Sequence, residues 1–165
     1  MTAGQKGTPA ESQARRLEKV AEEMTRMFRR PEVAWLLRNA PDVNDWSAMQ
    51  ILGHTVEMIP YWMHHIQAMV AAEGSPYRVG RTPDAPERLA GIERGVAGDP
   101  DEMLRQLAHE VRAAAGAIRR MTVEERGRAG VYAKGGAITV AEAVERFIVA
   151  HAEEHLAQVQ AALRS

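Results

Sequence analysis

The sequence predicts an all-α fold, an antiparallel four-helix bundle with a short extra helix between the second and third long helices. Three observations predict it. Apolar residues recur at helical spacing along four long segments. Recognisable helix starts, each a capping side chain followed by proline, an acid or a glutamine, precede those segments. No alternating apolar pattern is long enough to pair as a strand. The 165 residues fit one domain, 1–165, with 1–8 expected to be flexible. A chain of this size buries roughly two thirds of its unfolded surface.

The elements follow in order. Thr8-Pro9-Ala10-Glu11 opens the first helix: the threonine accepts from a free first-turn amide, and proline at the first helical position sacrifices no hydrogen bond. Leu17, Val20, Met24, Met27 and Phe28 then stripe one face. The second helix starts at the capping box Ser47-Ala48-Met49-Gln50 and extends to about Glu73, with Pro60 expected to kink it. Its apolar positions are Ile51, Met58, Trp62, Ile66 and Met69. Thr82-Pro83 predicts the start of the extra helix, which runs to about Val96.

Asp99-Pro100-Asp101-Glu102 opens the third long helix, striped by Leu104, Leu107, Val111, Ile118 and Met121. Thr122-Val123-Glu124-Glu125 starts a turn that Gly127 and Gly130 end. The last helix begins at the box Thr139-Val140-Ala141-Glu142 and carries Val140, Val144, Phe147, Ile148, Val159 and Leu163. Gly74 to Pro86 and Gly127 to Ala137 read as long loops, and long loops in a compact bundle often border a site.

Composition narrows the function. With 21 basic and 22 acidic residues the net charge is -1, so no global field would hold nucleic acid or a membrane surface. The absence of cysteine removes disulfides, thiolate ligands and a cysteine nucleophile, and any metal must rest on His, Asp or Glu. Met1 to Pro9 holds no apolar leader, and no stretch approaches the ~18 apolar residues of a membrane span. The expected compartment is the cytoplasm and the expected partner a small molecule.

His151 and His155 lie four apart on the last helix, so their rings leave one face about 6 Å apart along the axis, a spacing that can chelate one ion. Val144, Phe147, Ile148 and Val159 place the pair on or beside the core-facing stripe. Alone, such a pair reads as core-edge histidines satisfied by hydrogen bonds. His54, about two turns into the second helix, shifts that balance because a facing helix could bring a third ligand.

The stretch WSAMQILGHTVEM, with Trp46 just before the cap and His54 seven residues after Ser47, resembles the second-helix motif of the DinB/YfiT-like superfamily of metalloenzymes. ITVAEAVERFIVAHAEEHLAQV is similar to that family's last helix, whose HxxxH precedes Leu and Gln. The resemblance implies a three-histidine site of His54, His151 and His155, holding a divalent ion such as zinc or nickel in the bundle. Three neutral imidazoles leave a position open for water or substrate, as catalytic sites do. The resemblance further implies a thiol transferase or isomerase that uses a low-molecular-weight thiol such as bacillithiol or mycothiol, and a homodimer. A metal-dependent hydrolase, and a non-enzymatic metal- or ligand-binding module, are the alternatives.

Glu57 and Glu154, each three residues after a proposed ligand, lie on neighbouring faces. Either could orient an imidazole or carry a proton, Glu57 being the candidate catalytic residue, and either could be a solvated helix acid. Gln158 and Tyr61 share the ligand stripes. His65 lies eleven residues beyond His54, about 16 Å along the axis and too far for the same ion. His64 and His109 read as exposed. Trp46, Trp62 and Tyr132 read as core or dimer anchors. Tyr77, Arg78, Arg81, Arg88, Arg126, Arg128 and Lys134 lie in or beside the loops and either meet an anionic substrate or are solvated, the solvated reading being preferred.

Overall fold

The computed structural model describes residues 7–73 and 75–164. Most of the segment expected to be flexible, residues 1–6, therefore lies outside the described residues. Helix α1 spans Pro9–Phe28, and the Thr8 hydroxyl accepts from the Glu11 amide at 3.2 Å, as the cap signal predicts. Helix α2 spans Ala48–Ala71 behind a reciprocal box in which the Ser47 and Gln50 side chains each accept from the other's backbone amide. Pro60 lies within α2 without ending it. The helix stops short of the expected Glu73, which adopts the left-handed conformation (φ 44°) and so cannot continue it.

Beyond α2 come strand β1 (Arg78–Val79), helix α3 (Pro86–Ala97), helix α4 (Pro100–Arg120) and the short helix α5 (Val123–Gly127). Strands β2 (Ala129–Tyr132) and β3 (Ala137–Thr139) follow. The last rod joins α6 (Val140–Ala143), a π-helical turn over Val144–Val149, and α7 (Ala150–Ala162) without leaving helical backbone angles. Two sequence expectations need correction. The extra helix starts at Pro86 instead of Thr82-Pro83, because the Thr82 carbonyl accepts from the Ala85 amide at 3.1 Å and closes a turn, leaving Pro86 to take the first helical position.

The two regions read as loops also contribute a small sheet, ordered β1-β2-β3, in which β1 runs parallel to β2 and β2 antiparallel to β3. Strands of two to four residues are too short to show alternation in a sequence. Gly135 and Gly136 turn the hairpin with φ of 114° and 87°, values that disfavour any side chain. Val79 and Ile138 anchor the sheet to the core.

Cross-links give the direction of each helix in the four-helix bundle of α1, α2, α4 and the α6–α7 rod. Arg119 near the end of α4 bonds Glu11 and Glu18 on α1, while Arg29 after α1 faces Asp101 at the start of α4, so that pair is antiparallel. Gln13 reaches the Ala141 carbonyl while Arg16, further along α1, reaches Glu153, so α1 and the last rod run the same way. Trp62 stacks on Phe147 at 4.5 Å, while His54 faces His155 further up, so α2 opposes the last rod. α2 and α4 therefore share a direction, and something must return the chain between them.

That return is α3. It packs antiparallel along the first half of α2 through three glycines, and this is the extra helix the sequence predicts. A Cβ placed on Gly53 would lie 2.6 Å from the Gly95 Cα, and one on Gly91 would lie 2.5 Å from the Glu57 Cβ. Only hydrogen fits between these backbones. The core at the bundle centre is aliphatic and methionine-rich, with Leu17, Met24, Leu52, Met58, Ile66, Leu107 and Ile148 fully buried. Among the described residues no helix is long and apolar enough to cross a membrane.

Candidate metal centre

His54 lies in the second turn of α2, and His151 and His155 occupy successive turns at the start of α7. Because α2 and α7 are antiparallel neighbours, the three rings meet. Their centroids are 5.7 Å apart for His54 and His151, 4.8 Å for His54 and His155, and 4.5 Å for His151 and His155. One nitrogen from each ring lies within 4.8 Å of the others. Two metal–nitrogen bonds of about 2.0–2.1 Å span about 4 Å, so a small rotation of the rings would let them share one ion.

The π-helical turn sets which face of α7 the histidines leave. Within it the Ala150 amide reaches back five residues to the Glu145 carbonyl. One extra residue in a turn rotates all that follows by about 100°, the angle a single residue subtends. A uniform helical wheel over the last helix contains no such step, and the sequence carries no signal for it.

The nitrogens suit ligation. His155 Nδ1 sits 2.8 Å from Gln158 Oε1, to which it donates, and its Nε2 is buried with no hydrogen-bond partner. His54 Nδ1 is also buried without one, and it faces Glu57 Oε2 at 3.6 Å, so of this ring Nε2 is the nitrogen left for an ion. Orphaned buried nitrogens are costly unless something else satisfies them. Burial pushes His155 down to about 3, helped by neighbouring His151, and pushes His151 down to about 4, helped by His54. Burial lowers His54 as well, against an opposing pull from Glu57. All three rings are therefore neutral near pH 7, the form that binds metal.

Glu57 and Arg81 form the layer behind His54. Both side chains are buried, 6% and 7% exposed, and make a two-pronged pair at 2.6 and 2.9 Å. Burial would raise the Glu57 carboxyl, but the neighbouring His54 ring and the two hydrogen bonds from Arg81 outweigh it and hold the group at about 2. The nearest His54 nitrogen is 3.6 Å from Glu57, beyond hydrogen-bond length, so the two Arg81 contacts are the firmer part of that hold. Arg81 itself lies 4.2 Å over the Tyr61 ring. The preference for a solvated Arg81 thus fails: a position in a polar loop gave no sign that the chain folds the guanidinium back onto a buried acid.

The histidine face opens into a cavity of about 470 Å³, whose walls include Trp46, Arg88, His151, His155, Glu154 and Gln158. Trp46 meets His54 edge-on at 5.4 Å, so it borders the site besides touching the core. Glu154 is exposed at the rim. His65 stays outside the cluster and pairs with the Tyr77 hydroxyl at 2.8 Å, while His64 and His109 are exposed, as expected. Of the remaining loop cations, Arg126 bonds Gln13, Arg128 bonds the Val70 carbonyl, and Lys134 is exposed.

The depressed histidines predict a pH dependence in metal-free protein. Unfolding releases His151 and His155 from about 4 and 3 to an ordinary value near 6.5, so the unfolded chain binds more protons through that window. Stability is therefore fully present above pH 6.5 and falls as pH drops toward 4, by about 1.4 kcal/mol per pH unit for each histidine. Glu57, depressed to about 2, loses its contribution only below about pH 4.5. Urea unfolding between pH 4.5 and 7.5 checks this: His151→Gln with His155→Gln should flatten the slope, and an unchanged slope would refute it.

A family model described as the DinB superfamily matches residues 10–159. No curated protein matches the chain in sequence. Solved structures share the fold, among them two of low sequence identity. YfiT from Bacillus subtilis, described as a probable metal-dependent hydrolase with an unusual four-helix bundle topology, superimposes with a TM-score of 0.71 at 18% identity, over 94% of this chain and 86% of that one. The mycothiol-dependent maleylpyruvate isomerase gives 0.68 at 14% identity, over 92% of this chain and 61% of the isomerase.

Proposed function

Since the chain belongs to the DinB superfamily, we propose that it is a metal-dependent enzyme whose His54, His151 and His155 hold one divalent ion, zinc or nickel, and whose chemistry is thiol transfer or isomerisation with a low-molecular-weight thiol. The observation that carries this reading is the convergence of three neutral imidazoles from two helices, His54 and His155 buried and His151 half-buried, at the wall of an open cavity. When bound, such an ion supplies Lewis acidity and makes a thiol or water that reaches it more acidic.

The chain's own residues divide the remaining work. Gln158 fixes the His155 tautomer by accepting at Nδ1, which turns Nε2 toward the cluster. Trp46 walls off His54 on one side. Glu57, with both oxygens on Arg81, is suited to orienting His54 and ill suited to taking a proton near pH 7. That disfavours a hydrolase dependent on Glu57 as base and favours a thiol, which ionises more readily than water. The absence of cysteine agrees with a thiol supplied from outside.

The hydrolase reading draws support from the likeness to YfiT and from Glu154 at the cavity rim, where it could serve as base in place of Glu57. Metal-loaded protein given a small thiol and an aryl halide, and separately an activated ester without thiol, separates the two. Metal-dependent loss of thiol with formation of a thioether is the expected result. Ester cleavage without thiol would replace transfer by hydrolysis, and neither reaction alongside reversible metal binding would leave a binding module.

A further inference from the structure

The cavity beside the histidines contains a guanidinium that has no salt-bridge partner among the described residues. Arg88, in the first turn of α3, lies 4.9 Å over the Trp46 ring, and Trp46 in turn abuts His54. Its hydrogen bond goes to the neutral Pro83 carbonyl at 2.6 Å. Among the described residues no carboxylate stands within ion-pair distance of Arg88, whereas Arg81 is matched by Glu57. A guanidinium resting on an aromatic shelf keeps its hydrogen-bonding edge for a planar anion, which it can receive by two parallel hydrogen bonds.

Two further wall residues limit which anion that is. Asp45 and Glu154 line the same cavity and are both exposed. A polyanion meets like charge on approach, while one compact carboxylate can pass to Arg88. We infer that Arg88 is the carboxylate-binding residue of this cavity: the small molecule that reaches the three histidines carries a carboxylate, which Arg88 receives while the molecule's reactive end faces the imidazoles. This rests on the reading of the histidines as a metal site.

Cobalt(II) loaded in place of the native ion makes both readings visible, through its d–d bands and through the charge-transfer band of a bound thiolate. The probes are 3-mercaptopropionate and the neutral 2-mercaptoethanol. Wild-type protein should bind the acid about 10-fold tighter, the scale of one charge-assisted pair. Arg88→Met, which keeps a chain over Trp46 without the charge, should erase the preference so that both thiols bind alike, and Arg88→Lys should restore part of it. Equal affinities in the wild type, or a preference that survives in Arg88→Met, would overturn the role of Arg88 while the cobalt–thiolate band still upheld the metal site. Failure of the wild type to take up cobalt would overturn the metal reading and this inference with it.

Discussion

His151→Ala or His155→Ala is expected to weaken binding of a divalent ion by more than about 100-fold, while His109→Ala leaves it unchanged. Loss of a hydrogen-bonding partner behind a ligand typically costs ~10–100-fold in affinity, and loss of the ligand itself removes one of only three protein bonds to the ion. His54→Ala should behave like the α7 variants, because its ring closes the cluster from the opposite helix. The effect is separable from unfolding: the histidines are neutral, so each alanine deletes a ring without stranding a charge. His109 is an exposed residue on α4 and serves as the control. A second readout is thermal: ligand at ~1,000 times the wild-type Kd stabilises the wild type by about 4 kcal/mol, and at the same concentration that gain should fall to about 1.4 kcal/mol or less in the three cluster variants. Equal metal retention in all four proteins would dismiss the site.

Gly53→Ala is expected to destabilise the fold by about 2–4 kcal/mol, although alanine is the better helix former by up to ~1 kcal/mol. The added Cβ would meet the Gly91 carbonyl and lie 2.6 Å from the Gly95 Cα, both backbone atoms that cannot swing aside. α3 would have to move away from α2, taking Arg88 and the cavity wall with it. Gly116→Ala on α4 is the counterpart. Its Cβ would approach only the end of the flexible Arg120 side chain, at 3.2 Å, so that variant should gain up to ~1 kcal/mol. Urea denaturation midpoints for the two variants should therefore move in opposite directions. Equal stability would mean that α2 and α3 are not in backbone contact.

The helix starts were legible because capping is local chemistry: Thr8, Ser47, Asp99, Thr122 and Thr139 each accept the predicted first-turn amide. The histidine cluster was legible for a similar reason, since four-residue spacing on α7 fixes two rings and the resemblance supplied the third. What stayed hidden depends on contacts distant in sequence. The pairing of Arg81 with Glu57 joins residues 24 apart, and nothing local distinguishes it from a solvated arginine. The sheet consists of strands too short to leave a pattern. Gly53, Gly91 and Gly95 were visible as glycines, but the four-residue spacing of Gly91 and Gly95 on α3 acquires meaning only once α3 lies against Gly53 of α2. The π-helical turn before His151 has no local marker, yet it sets the face from which both α7 ligands emerge.

An anomalous-scattering map collected at the absorption edge of the metal retained through purification tests the central claim most directly. One peak per chain is expected, between His54, His151 and His155 and about 2.1 Å from a nitrogen of each ring. Three splayed imidazoles with no peak between them, or a peak held elsewhere in the molecule, would contradict it.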